Sequence, residues 1–171
     1  MKLRKTLLFF LVLLMLLINA NSAMAYSLNG GKWNTNNIWF NDYTSTSYDN
    51  NAGYNWSFPI GLSNNIDIGS GSGMPFYSGT TTRSDVAWDG ISLLSISGGY
   101  FTYAYALDNL WYTIDYTTSQ HQGVVTHEFG HCLGLSDLYG PVQAVMQGYT
   151  SMRIYTTVQA DDNNGINRLY P

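Results

Sequence analysis

Cysteine, basic residues, histidine and glutamate are all scarce in this chain. The one cysteine, Cys132, excludes an internal disulfide bond, and its place inside a predicted helix indicates a small buried hydrophobe rather than a redox group. The seven basic residues face eleven acidic ones, and three of the basic ones lie within the first five residues. Residues 26–171 therefore carry four basic side chains against eleven acidic ones, a balance that disfavours nucleic acid and anionic lipid as partners.

Residues 1–25 have the pattern of a secretory signal peptide. A basic start precedes the apolar run Leu7–Ile18, and Ala23-Met24-Ala25 is a small-x-small cleavage site. We expect cleavage before Tyr26, which leaves one domain, 26–171, that is secreted to the extracellular space, is not bound to a membrane and is a monomer. The alternative is an uncleaved membrane anchor, although the apolar run is short for a span.

The remaining chain has the pattern of a mixed fold with short strands before its main helices. An aromatic content of 15% favours a packed domain despite the many Asn, Gly and Ser residues. Alternating or apolar runs between turn residues predict strands at Asn37–Phe40, Ile66–Ile68, Ile91–Ile96, Tyr100–Leu107 and Trp111–Tyr116. A further helix is predicted within either Ser47–Trp56 or Asp85–Gly90.

Two helices are predicted in the last third of the chain. Ser119 opens a capping-box pattern, and the helix that follows should run to Leu133 and stop at Gly134. A second capping-box pattern begins at Thr156, and this helix should end near Tyr170.

Residues 127–137 carry the strongest chemical signal, HEFGHCLGLSD, which reads H-E-x-x-H-x-x-G-x-x-D. His127 and His131 lie one helical turn apart on one face, so both imidazoles can reach one zinc ion. Glu128 can act on a water without being a ligand, and Gly134 can reverse the chain to bring in Asp137. Three protein ligands with an open position are typical of catalytic zinc.

The identity of the third ligand rests on a census of the chain. A distant glutamate is excluded because Glu128 is the only glutamate, and the only other histidine, His121, points off the face of His127. Asp137 is the best-placed candidate, with His121 the residue to test next. A structural calcium ion is unsupported, because Asp67, Asp85, Asp89 and Asp108 lack calcium-loop spacing and are better read as solvated turn residues.

Beyond the motif itself, the chain resembles the metzincin peptidases. The HEFGHCLGLSD segment followed by Met146 is similar to their zinc helix and methionine turn, and Asp161–Tyr170 is similar to the C-terminal helix of matrixins. The resemblance implies an α+β catalytic domain with a twisted, mostly parallel sheet packed on the zinc helix. It also implies a small C-terminal subdomain that holds the methionine turn and the last helix, with Met146 as a hydrophobic floor beneath the metal.

The chain departs from matrixins in three respects. Asp137 stands where matrixins have histidine, which resembles the snapalysin branch of the metzincins. No cysteine precedes the domain to mask the metal, and Tyr149 lies three residues after Met146, whereas astacin-like relatives place a tyrosine two residues after it. The resemblance also implies that a new N-terminus at Tyr26 pairs with Asp162. The alternative is a frayed terminus.

The combined pattern predicts a secreted zinc metalloendopeptidase that hydrolyses protein or peptide substrates, with Glu128 as general base and His127, His131 and Asp137 as zinc ligands. Two alternatives stay open. One is a secreted zinc-containing binding or adhesion module, against which the intact Glu128 argues. The other is an amidase acting on cell-wall peptides.

Overall fold

The computed structural model describes residues 26–44 and 46–171, so the predicted signal peptide lies outside the described residues. The strands are β1 (Ser27–Leu28), β2 (Asn37–Asp42), β3 (Asp67–Ser70), β4 (Phe76–Thr81), β5 (Gly90–Ser97), β6 (Tyr100–Asn109) and β7 (Leu135–Ser136). The helices are α1 (Ser47–Ser57), α2 (Leu110–Thr113), α3 (Thr118–Leu133) and α4 (Ala160–Leu169), with a 3₁₀ turn at Thr150–Met152. No helix among the described residues is both long and apolar enough to cross a bilayer.

Five strands form the main sheet in the order β3-β2-β4-β6-β5. The pairs β3/β2, β2/β4 and β4/β6 are parallel, and β5 pairs antiparallel with β6 at one edge. The expected α+β architecture with a mostly parallel sheet is confirmed. Strand β5 is the edge strand nearest the histidine motif, so it borders the site.

An aromatic core joins the sheet to helix α3. The Phe129 ring on α3 lies edge-on to Phe40 of β2 and Phe76 of β4, with centroid distances of 4.9 and 5.0 Å. Trp56 of α1 is fully buried, and its indole N–H donates to the Thr126 carbonyl oxygen at 2.8 Å. Cys132 is free and fully buried, which confirms its expected packing role. This packing fixes the rotation of α3, so the motif residues on its other face point away from the sheet core.

The local predictions were right for most of the longer strands, but one predicted strand is a helix and one central strand was not predicted. Four predicted strands correspond to β2, β3, β5 and β6, and α1 occupies the first of the two alternative helix sites. The predicted strand Trp111–Tyr116 is instead the short helix α2, because the Asn109 side chain caps the Trp111 N–H at 3.3 Å. Residues 85–90 form no helix, and the central strand β4 was missed because Gly79 interrupts its apolar pattern.

The helix boundaries differ from the predicted caps. Helix α3 is capped by Thr117, whose hydroxyl accepts from the Gln120 N–H at 3.3 Å while the Gln120 side chain accepts from the Thr117 N–H at 2.9 Å. Helix α4 is capped at Gln159, three residues beyond the predicted start. Both predictions placed a capping box near the right helix but in the wrong register. The predicted stop at Gly134 is confirmed, with φ +113°.

Candidate active site

Three side chains of the motif converge on a single point. The Nε2 atoms of His127 and His131 lie 3.2 Å apart, and Asp137 Oδ1 lies 3.2 Å from the first and 3.5 Å from the second. Ligand atoms about 2.1 Å from a tetrahedral zinc ion lie roughly 3.4 Å from one another, so the observed triangle has the size that zinc requires. Asp137 Oδ1 is buried without a hydrogen-bond partner among the described residues. The donor set therefore fits zinc.

Both imidazoles are held in the tautomer that a metal ligand needs. His127 Nδ1 lies 2.8 Å from the Val145 carbonyl oxygen, and His131 Nδ1 lies 2.9 Å from that of Leu135. A carbonyl only accepts, so each Nδ1 carries the proton and each Nε2 keeps its lone pair for the metal.

The electrostatics of the three groups favour an anionic aspartate beside a neutral His127. Burial raises the pKa of the Asp137 carboxyl, but its close contacts with the His127 and His131 imidazoles outweigh burial and hold that pKa far below its usual range. Burial lowers the pKa of His127, and the nearby Arg153 acts in the same direction. Burial also lowers the pKa of His131, but contact with Asp137 more than reverses this and leaves that pKa raised.

The second oxygen of Asp137 is occupied by a tyrosine. The Tyr139 hydroxyl donates to Asp137 Oδ2 at 3.1 Å, and the Tyr139 ring packs on Tyr149 with a centroid distance of 5.0 Å. The hydrogen bond leaves Oδ1 as the oxygen facing the histidines, so Tyr139 fixes the orientation of the carboxylate. Sequence reasoning considered Tyr149 and missed Tyr139, although its position two residues after a candidate ligand was a usable signal.

Glu128 is buried beside the triangle and is held by strand β5. The Ser92 hydroxyl lies 2.7 Å from Glu128 Oε2 and 2.9 Å from the Glu128 carbonyl oxygen. At Gly90, an added Cβ would lie 2.7 Å from Glu128 Oε1, so only glycine lets the strand approach this closely. Ser92 and Gly90 could not be assigned from the sequence because they reach the site through tertiary packing.

The methionine turn carries the carbonyl group that orients His127, and it is anchored by helix α4. Met146 is buried, and its sulfur occupies the space that a side chain at Gly130 of α3 would need. Asp162 accepts from the Val145 N–H at 2.9 Å, from the Met146 N–H at 3.2 Å and from the Gln159 N–H at 2.8 Å. One buried carboxyl group therefore links the start of α4 to the turn whose carbonyl orients His127.

Residues outside this cluster also differ from expectation. His121 is not part of the triangle, and it is largely buried, with Nδ1 2.6 Å from Asp108 Oδ2. The interpretation of Asp89 and Asp108 as solvated was wrong, since both are buried. Within the described part of the chain, His127, His131 and Asp137 form the group whose ligand atoms come close enough to hold a metal ion.

Comparison with known families agrees with this geometry. The family model of the matrixins, peptidase family M10, matches residues 33–171. The chain belongs to the matrixin family. Matrixins are zinc metalloendopeptidases, so the chain is a hydrolase that uses zinc and acts on protein or peptide substrates. The comparison with curated proteins found no match.

The matrixin site opens into a cleft of about 540 Å³ between β5 and the segment that follows the methionine turn. The triangle and Glu128 line it on the α3 side, and Ile91, Ser92 and Leu94 of β5 line it next to Glu128. Strand β5 is an edge strand of the sheet, so the backbone groups on its outer side have no strand partner among the described residues.

Proposed function

We propose that residues 26–171 are a secreted zinc endopeptidase in which His127, His131 and Asp137 hold the metal and Glu128 is the general base. The observation that carries the assignment is the triangle of 3.2, 3.2 and 3.5 Å between the three ligand atoms, with Glu128 buried directly beside it. The signal-peptide pattern of residues 1–25 supports secretion.

The residues of the site have separate roles in hydrolysis. Zinc, when bound, polarises the scissile carbonyl and makes an attacking water more acidic. Glu128 takes the proton of that water and delivers it to the leaving amide nitrogen. Ser92 keeps the Glu128 carboxylate turned toward the cleft through the contact at 2.7 Å, and Tyr139 does the same for Asp137 at 3.1 Å.

Strand β5 supports an extended polypeptide substrate. An extended chain laid along this edge satisfies backbone hydrogen bonds regardless of its side chains, which suits an enzyme that cuts within polypeptides. The anionic Asp137 leaves the site one positive charge lower than a three-histidine site, and we expect zinc to be a slightly weaker Lewis acid here.

The test combines metal analysis with two substrates. Purified protein starting at Tyr26 should contain one equivalent of zinc and should cleave casein. Cell-wall material is assayed in parallel under the same conditions. Cleavage of cell-wall material alone would assign an amidase, and zinc content without hydrolysis of either would assign a binding module. Protein without zinc would contradict the proposal as a whole.

A further inference from the structure

A small cavity of about 80 Å³ continues from the cleft, between helix α3 and the segment that follows the methionine turn. Gln120, Gly123 and Val124 line it on the α3 side, opposite Tyr155 and Thr156. Val124 lies one helical turn before Glu128, so the cavity begins close to the scissile bond. A substrate side chain next to that bond is therefore the group that can reach this cavity.

Three residues line both the cleft and the small cavity: Asp89, Thr150 and Arg153. Arg153 and Asp89 are charged, and only 7% and 8% of their side chains are exposed. Each is fixed by one hydrogen bond, since Arg153 Nε donates to the Gln147 carbonyl oxygen at 3.1 Å and Asp89 Oδ1 accepts from the Thr150 hydroxyl at 3.0 Å. The boundary of the cavity is thus a rigid, polar pair.

The Arg153 and Asp89 side chains do not use all of their hydrogen-bonding capacity. Arg153 Nη1 lies 3.5 Å from Asp89 Oδ2, and neither atom has a hydrogen-bond partner among the described residues. Charge-assisted hydrogen bonds between such groups are shorter, about 2.7–2.9 Å. A donor and an acceptor therefore stand side by side, each with unused capacity, in a place where leaving them unpaired is costly.

We propose that this pair selects a carboxamide side chain, glutamine or asparagine, in the substrate residue next to the scissile bond. The carboxamide oxygen accepts from Arg153 Nη1 while its nitrogen donates to Asp89 Oδ2. A carboxylate offers no donor and is repelled by Asp89, and an ammonium offers no acceptor and is repelled by Arg153. An aliphatic side chain offers neither a donor nor an acceptor and leaves both atoms without a hydrogen-bond partner. The inference rests on the proposed peptidase function.

The experiment uses peptides built around a bond that the unaltered protein cleaves. The residue on one side of that bond is Gln, Leu, Glu or Lys in turn, and the residue on the other side is then varied in the same way. We expect kcat/KM for the Gln peptide to exceed that for each of the others by at least about tenfold. Leu equal to or better than Gln would overturn the inference. If the unaltered protein cleaves no peptide bond at all, the proposed function fails instead, and the preference is then read from peptide binding to Glu128→Gln by calorimetry.

Two variants locate the preference. Arg153→Met keeps much of the side-chain volume and should reduce the ratio of kcat/KM for the Gln peptide to that for the Leu peptide to near one. The control is Arg168→Met, the same change at an exposed position of α4, which should leave this ratio unchanged. Asp89→Asn removes the repulsion and should raise the Glu peptide relative to Gln. This second variant tests the inference even if Arg153→Met fails to fold. An unchanged ranking in folded Arg153→Met or in Asp89→Asn would contradict the assignment of the pair.

Discussion

Replacing Asp162 by alanine should destabilise the protein and loosen the metal site together. The carboxyl group is fully buried. Its removal leaves the backbone N–H groups of Val145, Met146 and Gln159 without their acceptor. A buried N–H without an acceptor costs on the order of 1 kcal/mol or more, so the three together cost about 2–4 kcal/mol after some relaxation. For a domain of this size, that loss lowers Tm by roughly 5–15 °C.

The effect should extend to zinc because the freed turn carries the carbonyl that orients His127. We expect a zinc Kd weaker by about tenfold, as for other contacts that position a ligand. The matched control is Asp161→Ala, a neighbouring carboxyl group in the first turn of α4 that makes no bond to the methionine turn. Thermal unfolding with and without zinc, and a competitive zinc titration, measure both effects. Equal Tm and equal zinc Kd for the two variants would refute this account of Asp162.

Three further predictions concern the metal site and the packing of Met146. Asp137→Ala should lose tight zinc binding, while Asp137→His should retain it; one tight equivalent of zinc in the alanine variant would exclude Asp137 as a ligand. Tyr139→Phe should weaken zinc binding by about tenfold or less, because the bond that it removes is partly exposed, and Tyr149→Phe should not; equal zinc titrations would contradict this. Gly130→Ala should lower the free energy of unfolding by about 1–3 kcal/mol, because the added methyl group collides with Met146. An unchanged denaturant midpoint would contradict this.

The metal-binding motif was predictable because its geometry is local. Two histidines four apart on a helix share a face in any fold, and Gly134 reverses the chain within three residues of Asp137. The sheet could be predicted only in part, since β4 contains a glycine and owes its place to pairing with β2 and β6. A single sequence carries no record of such long-range pairing.

The supporting residues of the site could not be predicted for the same reason. Ser92 lies 36 residues before Glu128, and Asp89 meets Arg153 from a distant part of the chain. The pairing of Tyr26 with Asp162 stays a prediction. The Tyr26 side chain lies beside Gly165 on α4, and an added Cβ at Gly165 would lie 3.1 Å from Tyr26 Cβ.

In the proposed mechanism, Glu128 is the general base, and His127, His131 and Asp137 hold the metal. Glu128→Gln separates these roles, because the amide keeps the shape of the side chain but cannot take the proton. The decisive measurement is the rate of peptide hydrolysis by this variant at a zinc content equal to that of the unaltered protein. We expect a loss of about 10²–10⁴-fold with one zinc still bound. Hydrolysis within a few-fold of the unaltered protein would contradict it.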